Sequence, residues 1–289
     1  MIFATDLANP EGPVLLPDGS WALVEMHPER GWVARISKDG KKKEILAKTG
    51  RPNGLALDRH GVLWVAESVN PPSLLRMTLD GKYQTVLTEC DGEPFLFPND
   101  LCFGPYGELY MTDSGVLYPK WSKLTSEEKL RYTFDGRLYR IDTGTMEIKK
   151  IDSGLKFTNG IAFGPDSHLY INESRSGDVF RYRWAEGQIT GTKEHFANVI
   201  RKKEPGVFQG PDGMAFDKDG NLYVTVFVQG DVTVLAPDGS VIERIPLEGK
   251  RPTNAAFGPE GEHTLYVTDQ DIGQMEAYDV GIGGLALYG

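Results

Sequence analysis

The sequence predicts an all-β fold, a six-bladed β-propeller with four-stranded blades, on three observations. A short motif recurs six times along the 289 residues. Short β-rich runs alternate with Asp-Gly and Gly-Pro-x-Gly turns, which is typical of hairpins. The last copy of the motif lacks one strand, and the start of the chain offers it, so the repeats are expected to close into a ring.

The repeated motif is Pro-Asn/Asp-Gly, followed by an apolar run, a turn and a second β-rich run, as in residues 211–225. The residue at the second position marks each copy. The six markers are Glu11, Asn53, Asn99, Asn159, Asp212 and Thr253. Successive markers lie 42, 46, 60, 53 and 41 residues apart, close to the ~40–50 residues of a four-stranded propeller blade.

Ring closure follows from the two ends of the sequence. The sixth copy has an inner strand, a second strand and a third strand at 274–280, and then runs into a glycine-rich end. Residues 2–6 resemble the outer strand that precedes every other marker, so we expect them to complete the sixth blade and leave no unpaired edge. The closed ring predicts one domain over residues 1–289.

Charge and composition exclude several classes of protein. The sequence has 31 Lys and Arg and 41 Asp and Glu, which gives a net charge of −10. No run of basic residues is longer than the three lysines at 41–43. We therefore expect neither a nucleic acid partner nor membrane association, and no stretch has the ~18 apolar residues of a membrane span. The two cysteines, Cys90 and Cys102, cannot form a disulfide framework, and with no export signal at the start they favour a reducing cytoplasm.

The markers are the strongest candidates for a functional site. Inner strands of a propeller run side by side along the central channel, so the six markers should meet at one mouth of it. All six carry side-chain oxygen, but Asn53 and Thr253 are explained as turn residues. Glu11 and Asp212 place two carboxylates in the ring, with Asn159 between them. Hard oxygen ligands without His or Cys favour Ca²⁺, Mg²⁺ or Mn²⁺ over Zn²⁺.

A second ring of acidic residues lies at the end of the second strand of each copy. Five of its six positions are acidic, namely Glu25, Glu67, Asp113, Glu173 and Asp269, and the sixth is Val226. We expect most of these carboxylates to accept hydrogen bonds from loop amides. Asp113 and Glu173, beside the longest insertions, are the best candidates for a role at the mouth.

Two insertions are expected on the same side as the markers. Residues 116–132 carry Tyr118 and Trp121, and residues 200–208 form the second insertion. Long loops in a compact fold are commonly lids or walls of a binding site. Serine hydrolase, zinc protease and P-loop motifs are absent from the sequence. Among the histidines only His27 is placed to reach the mouth.

The repeated motif resembles the gluconolactonase/regucalcin (senescence marker protein) family. The similarity is closest at residues 157–163, at Gly210-Pro211-Asp212-Gly213, at Glu11-Gly12-Pro13 and at the C-terminal residues 284–289. The resemblance implies a six-bladed propeller with one divalent metal ion in the channel mouth. It implies Glu11, Asn159 and Asp212 as metal ligands, Asn99 as a substrate-side residue and Asp212 as a general base.

One position departs from the pattern of the sugar lactonases in this family. They often carry Arg two residues before the substrate-side asparagine, and here that residue is Phe97. A phenyl ring cannot hydrogen-bond a polyol, so the sequence favours a lactone with fewer hydroxyl groups than gluconolactone. Tyr118 and Trp121 are expected to extend this apolar wall.

The expected chemistry is the hydrolysis of a lactone through a tetrahedral oxyanion. A divalent cation, with Ca²⁺ as the first choice and Zn²⁺, Mn²⁺ or Mg²⁺ as alternatives, can offset the developing charge. The proton acceptor is either Asp212 or a hydroxide held by the metal, and the sequence leaves both open. Two other functions compete: a phosphotriesterase of the diisopropyl-fluorophosphatase kind, and a non-catalytic propeller that binds a ligand or protein.

Overall fold

The computed structural model describes residues 1–288, which form six four-stranded antiparallel sheets arranged around a channel. Strand β1 (Ile2–Ala4) opens the chain. The first blade contains β2 (Pro10–Leu15), β3 (Trp21–Glu25), β4 (Trp32–Ile36) and β5 (Lys43–Lys48). The second contains β6 (Pro52–Leu57), β7 (Leu63–Glu67), β8 (Ser73–Met77) and β9 (Tyr83–Leu87).

The third blade carries the additions to the ring. A two-stranded hairpin, β10 (Glu89–Cys90) and β11 (Glu93–Pro94), precedes it. Its strands are β12 (Pro98–Phe103), β13 (Leu109–Asp113), β14 (Gly136–Ile141) and β15 (Ile148–Leu155). Between β13 and β14 lie the helices α1 (Tyr118–Trp121) and α2 (Ser126–Arg131).

The remaining strands complete the ring. The fourth blade contains β16 (Thr158–Phe163), β17 (His168–Glu173), β18 (Asp178–Ala185) and β19 (Gln188–Asn198). The fifth contains β20 (Gly210–Phe216), β21 (Leu222–Phe227), β22 (Asp231–Leu235) and β23 (Val241–Pro246). The sixth contains β24 (Pro252–Phe257), β25 (Thr264–Asp269), β26 (Gln274–Asp279) and β1.

The predicted closure of the ring is confirmed. Strand β1 pairs with β26, with Ile2 opposite Glu276 and Ala4 opposite Met275, so the N-terminal segment is the fourth strand of the sixth blade. The inner strands contact one another in the order β2, β6, β12, β16, β20, β24 and back to β2. Cys90 and Cys102 are free thiols.

The turns between the first two strands of each blade follow from local sequence. In the second blade, Asp58 accepts hydrogen bonds from the backbone amides of His60 and Val62, both at 2.9 Å. Gly61 closes this turn with a φ of 76°, which favours glycine. The same device recurs at Asp217 in the fifth blade, which accepts from the amides of Asp219 and Asn221.

The apolar core lies between neighbouring blades rather than in the channel. Trp64 and Leu74 of the second blade, for example, join one buried cluster with Met111 and Tyr139 of the third. Burial of such side chains stabilises by about 1.5–3 kcal/mol each. Within residues 1–288 no helix is long and apolar enough to cross a bilayer.

Candidate functional site

A bulge in every inner strand sets the direction of the marker side chains. In the third blade Pro98 pairs with Asp113 and Leu101 pairs with Met111. Between these two pairs the inner strand β12 therefore has one residue more than its partner β13. The other five inner strands show the same irregularity. A bulge redirects a side chain. The markers therefore lie inside the inner strands, because the residue before each marker, such as Pro98, still pairs in the ladder.

The glycine after a marker allows the inner strands to approach closely. A Cβ atom on Gly12 would lie 2.8 Å from the carbonyl oxygen of Asn53, and one on Gly54 would lie 2.6 Å from that of Asn99. Contacts this short do not occur for real Cβ atoms, so these positions require glycine. The backbones of Asn53, Asn99 and Asp212 are thus packed against Gly12, Gly54 and Gly160 of the preceding blades.

In the third and sixth blades the residue after the marker is polar instead of glycine. Asp100 and Asn254 occupy the position that is glycine in the other four copies. Their blades are opposite each other in a six-membered ring, and Asn254 Nδ2 lies 3.3 Å from Asp100 Oδ2. Asn254 Nδ2 is also 3.4 Å from Glu11 Oε2. Both residues are buried, so they close the channel from wall to wall beside the markers.

One cavity of about 550 Å³, counting its open mouth, lies at the marker end of the channel. About 100 Å³ of this space can be occupied by the centre of a water molecule. Its polar wall consists of Glu11, Arg51, Asn53, Asn99, Asn159, Ser174, Asp212, Thr253 and Gln270. Its apolar wall consists of Met26, Phe97, Trp121, Phe157, Phe208 and Phe227, and Gly210 completes the lining.

All six markers line this one cavity, as do Phe97 and Trp121. Tyr118 differs: it is not part of the lining, and its ring packs edge-on against Phe97 with 5.8 Å between centroids. Tyr118 therefore supports the wall from behind, because α1 directs it toward the second blade. Met26 rather than His27 reaches the cavity.

Two of the asparagine markers are held in the same orientation. Asn99 Nδ2 donates to Ser114 Oγ at 2.8 Å, and Asn159 Nδ2 donates to Ser174 Oγ at 3.1 Å. Each serine in turn donates to a carbonyl of the next blade. Because the amide nitrogen is used in this way, the oxygen Oδ1 is the atom left to face the cavity. Asn53 makes no such bond to Ser68, its counterpart in the second blade.

The carboxylates of the site are buried, and burial disfavours their charged form. Burial raises the pKa of Glu11 well above its usual range, and the charges of Asp100 and Asp212 add to this. Burial also raises the pKa of Asp212 well above its usual range, with Asp100 contributing, while Asn159 and Arg51 act in the opposite direction. Burial raises the pKa of Asp100 to about 7.

Glu11, Asp100 and Asp212 lie close enough together for their negative charges to repel one another. The sequence analysis did not identify Asp100. Carboxylates that share a buried site need a proton or a cation to offset their repulsion. No group of three or more His, Cys, Asp or Glu side chains forms a metal site by itself within residues 1–288.

The aromatic wall is built by both insertions. Trp121 of α1 packs on Phe157 with 4.7 Å between ring centroids, and Phe208 of the second insertion packs on Trp121 at 4.8 Å. Arg175 fixes the first insertion, because its Nε donates to the carbonyl oxygen of Leu130 at 2.9 Å. The prediction that both insertions reach the mouth is confirmed by this packing.

The second acidic ring serves the loops. Asp113 accepts from the amides of Leu96, Phe97 and Gly115 at 2.8–3.0 Å, which positions Phe97. Glu173 pairs with Lys193 at 2.8 Å. Neither carboxylate lines the cavity, so the suggestion that these two reach the mouth is wrong, because local amides and a lysine use their oxygens.

The sequence analysis also missed Arg51, which lines the cavity from the second blade. It lies two residues before its marker, the same register as Phe97 in the third blade. Its guanidinium carbon is 5.0 Å from the centroid of the Phe97 ring and 4.0 Å from that of Tyr118. Comparing this register position across all six copies is the signal that would have identified it.

The fold and the site together define a class: a six-bladed propeller with an oxygen-rich, partly aromatic cavity at one end of its channel. The sequence also matches the family described as SMP-30/Gluconolactonase/LRE-like region over residues 10–270. The chain belongs to this family, and the resemblance seen in the repeated motif is confirmed.

Individual relatives agree with this assignment. The chain is 26% identical to a gluconolactonase of Zymomonas mobilis, over 92% of this chain and 78% of that protein. It is 27% identical to the diisopropyl-fluorophosphatase of Loligo vulgaris, over 92% of this chain and 87% of that protein. The structure of a calcium-binding protein, regucalcin, from Agrobacterium tumefaciens has the same fold, with a TM-score of 0.78, 20% identity, and coverage of 99% and 95% of the two chains.

Proposed function

We propose that this protein is a divalent-metal-dependent hydrolase that opens a lactone ring in the marker cavity. The observation that carries the proposal is the joint presence of Glu11, Asn159 and Asp212 on one cavity wall. Two carboxylates and an amide oxygen form a hard donor set, for which Ca²⁺ is the first choice and Zn²⁺, Mn²⁺ or Mg²⁺ are alternatives. The gluconolactonase relative supports a lactone as substrate.

The residues fit a cation for two physical reasons. The Nδ2 atom of Asn159 is committed to Ser174, which leaves Oδ1 toward the cavity. The buried carboxylates of Glu11 and Asp212 repel each other, and burial disfavours both charges. A cation between them would offset both penalties.

When bound, such a cation supplies Lewis-acid stabilisation of the charge that develops on the lactone carbonyl oxygen. In our proposal Asn99 orients the substrate through Oδ1, because its Nδ2 is held by Ser114. Asp212 takes a proton from the attacking water. Burial and the charge of Asp100 raise the pKa of Asp212, and a bound cation would act on it in the opposite direction.

The aromatic wall favours a lactone with few hydroxyl groups. Phe97, Phe157 and Trp121 line the cavity and offer no hydrogen bond to a polyol from their rings. Burial of an unpaired hydroxyl costs ~1–3 kcal/mol. We therefore propose that simple five- and six-membered lactones are better substrates than gluconolactone.

Metal analysis of the purified protein, followed by a lactone panel with and without chelator, tests this function. We expect one divalent ion per chain and hydrolysis of γ- and δ-lactones that chelation abolishes and Ca²⁺ restores. Asn53→Ala is a matched control, because Asn53 lines the same cavity without the serine bond of Asn99 and Asn159. Absence of lactone hydrolysis in metal-loaded protein would overturn the proposal.

A second candidate is phosphotriester hydrolysis, which the diisopropyl-fluorophosphatase relative favours. The same donor set could bind a phosphoryl oxygen. Fluoride release from diisopropyl fluorophosphate, measured beside the lactone panel, separates the two functions. We expect the lactone to give the larger kcat/KM, and the opposite order would favour the second candidate.

A further inference from the structure

Arg51 is a half-buried cation in the cavity wall, and one of its buried nitrogen atoms has no hydrogen-bond acceptor within residues 1–288. Its Nε is buried and has no hydrogen-bond partner within residues 1–288. Its Nη1 lies 3.4 Å from Ser68 Oγ. In the same part of the chain no carboxylate oxygen lies within 4.0 Å of the guanidinium nitrogens. Nε is thus left without a protein acceptor, while the Tyr118 hydroxyl interacts with the guanidinium and opposes the lowering of its pKa by burial.

The carboxylates nearest to Arg51 are engaged elsewhere. Glu67 accepts from Thr49 Oγ1 at 2.6 Å, from the backbone amide of Arg51 at 2.7 Å and from that of Val69 at 3.0 Å. Glu11 faces Asn254. A buried polar atom that lacks a hydrogen-bond partner is costly, so the unpaired Nε of Arg51 calls for an explanation.

The aromatic rings fix the guanidinium in place. Tyr118 and Phe97 lie 4.0 Å and 5.0 Å from its carbon, so the planar group is held against two rings. A fixed guanidinium edge matches the two oxygens of a carboxylate, and the two can form a bidentate pair. The apolar remainder of a small ring would lie against Phe157 and Trp121, on the same wall.

We propose that Arg51 is a substrate-recognition residue that binds a carboxylate substituent, so that the preferred substrate is a carboxylate-bearing lactone with few hydroxyl groups. This inference rests on the proposed lactone hydrolysis and adds the class of substituent. The lactone carbonyl then reaches toward the markers, while the substituent is bound by Nε and Nη2 of Arg51.

The first test compares 5-oxotetrahydrofuran-2-carboxylate with its carboxamide, which has the same ring and no charge. We expect the wild type to hydrolyse the carboxylate with at least ten-fold higher kcat/KM. Arg51→Met keeps much of the packing on the two rings but removes the donors, so it should abolish this preference and hydrolyse the two probes with equal kcat/KM. Arg251→Met is the matched control, because Arg251 has the same register position in the sixth blade but is exposed and does not line the cavity.

A binding measurement keeps the test independent of turnover. By calorimetry, 3-oxocyclopentane-1-carboxylate, which cannot be hydrolysed, should bind the calcium-loaded wild type at least ten-fold more tightly than its carboxamide. Arg51→Met, or Arg51→Gln if the first variant does not fold, should remove this difference. A preference that survives in the variant but disappears with chelator would assign the carboxylate to the metal and overturn the inference.

The outcomes separate this inference from the proposed function. Lactone hydrolysis by the wild type with equal rates and equal binding for the charged and neutral probes would reject the role of Arg51 and leave the lactonase intact. If no lactone is hydrolysed, the proposed function fails, and the binding preference alone decides whether Arg51 recognises a carboxylate.

Discussion

Asn254 Nδ2 lies 3.3 Å from Asp100 Oδ2, across the channel between opposite blades. The two side chains fit there because their neighbours are glycines: a Cβ on Gly54 would lie 2.6 Å from Asp100 Oδ1. This contact places a third carboxylate, that of Asp100, beside the markers. The replacement of glycine by Asp in one copy of the repeat therefore adds a negative charge to the site.

Removing that third carboxylate should change stability and metal affinity in opposite directions. In Asp100→Asn the side-chain shape is kept, but repulsion of Glu11 and Asp212 is lost. Thermal unfolding at pH 8 in chelator should show a higher Tm than the wild type, and the affinity for Ca²⁺ should fall. A lower Tm in chelator at pH 8 would contradict the repulsion that we assign to Asp100.

The metal-free protein should lose stability as the pH rises. Burial raises the pKa of Asp100 to about 7 in the folded chain, whereas an unfolded aspartate titrates near ~3.9. The folded state therefore binds more protons than the unfolded state between these two values. The contribution of Asp100 to stability is fully present below about pH 4 and is lost as the pH rises through 7.

Added Ca²⁺ should consequently raise Tm more at pH 8 than at pH 5, because protons compete with Ca²⁺ for the carboxylates of the site at the lower pH. At a concentration 100 times its Kd, a ligand stabilises by ~2.7 kcal/mol. Melting curves at the two pH values, with EDTA and with Ca²⁺, measure the effect. Equal shifts at both pH values would show that the carboxylates do not bind the ion.

The markers should differ in importance despite their equal positions in the repeat. Asp212→Ala removes a proposed ligand and base, so turnover should fall below detection. Asn53→Ala should keep most of the activity, because Asn53 lacks the serine bond that orients Asn99 and Asn159. Steady-state kcat/KM values on one lactone compare them, and equal losses would refute the assignment of roles around the ring.

Phe97 should control the preference for hydroxylated substrates. Phe97→Arg adds donors to the apolar wall, and at ~1.4 kcal/mol per factor of ten each newly paired hydroxyl could gain roughly ten-fold. The ratio of kcat/KM for gluconolactone to that for δ-valerolactone should therefore rise. Phe97→Leu is the control, since it is apolar and should leave the ratio low. A wild type that already prefers gluconolactone by ten-fold would reject this role of Phe97.

The propeller could be predicted from the sequence because local signals and the global fold agree. Each marker motif, turn and strand recurs at blade spacing, and the missing strand of the sixth blade is present at residues 2–6. Helix α2 begins at Ser126, directly after a capping box between Thr125 and Glu128.

The site could be predicted only in part. The markers were found because they share a register, but Asp100 and Asn254 act through a contact between blades that are distant in sequence. Arg51 was missed because its role depends on rings from the third blade and the first insertion. In each case the sequence signal was a departure from the repeat, and its meaning required the geometry of the ring.

The central claim is that one divalent ion at Glu11, Asn159 and Asp212 makes the cavity a lactone-hydrolysing site. The most direct measurement adds Ca²⁺ stepwise to chelator-stripped protein and follows bound ion and δ-valerolactone hydrolysis in the same sample. The account predicts that both rise together and saturate at one ion per chain, and that Asp212→Ala shows neither. Full hydrolysis by the stripped protein, or ion binding without any gain in rate, would contradict it.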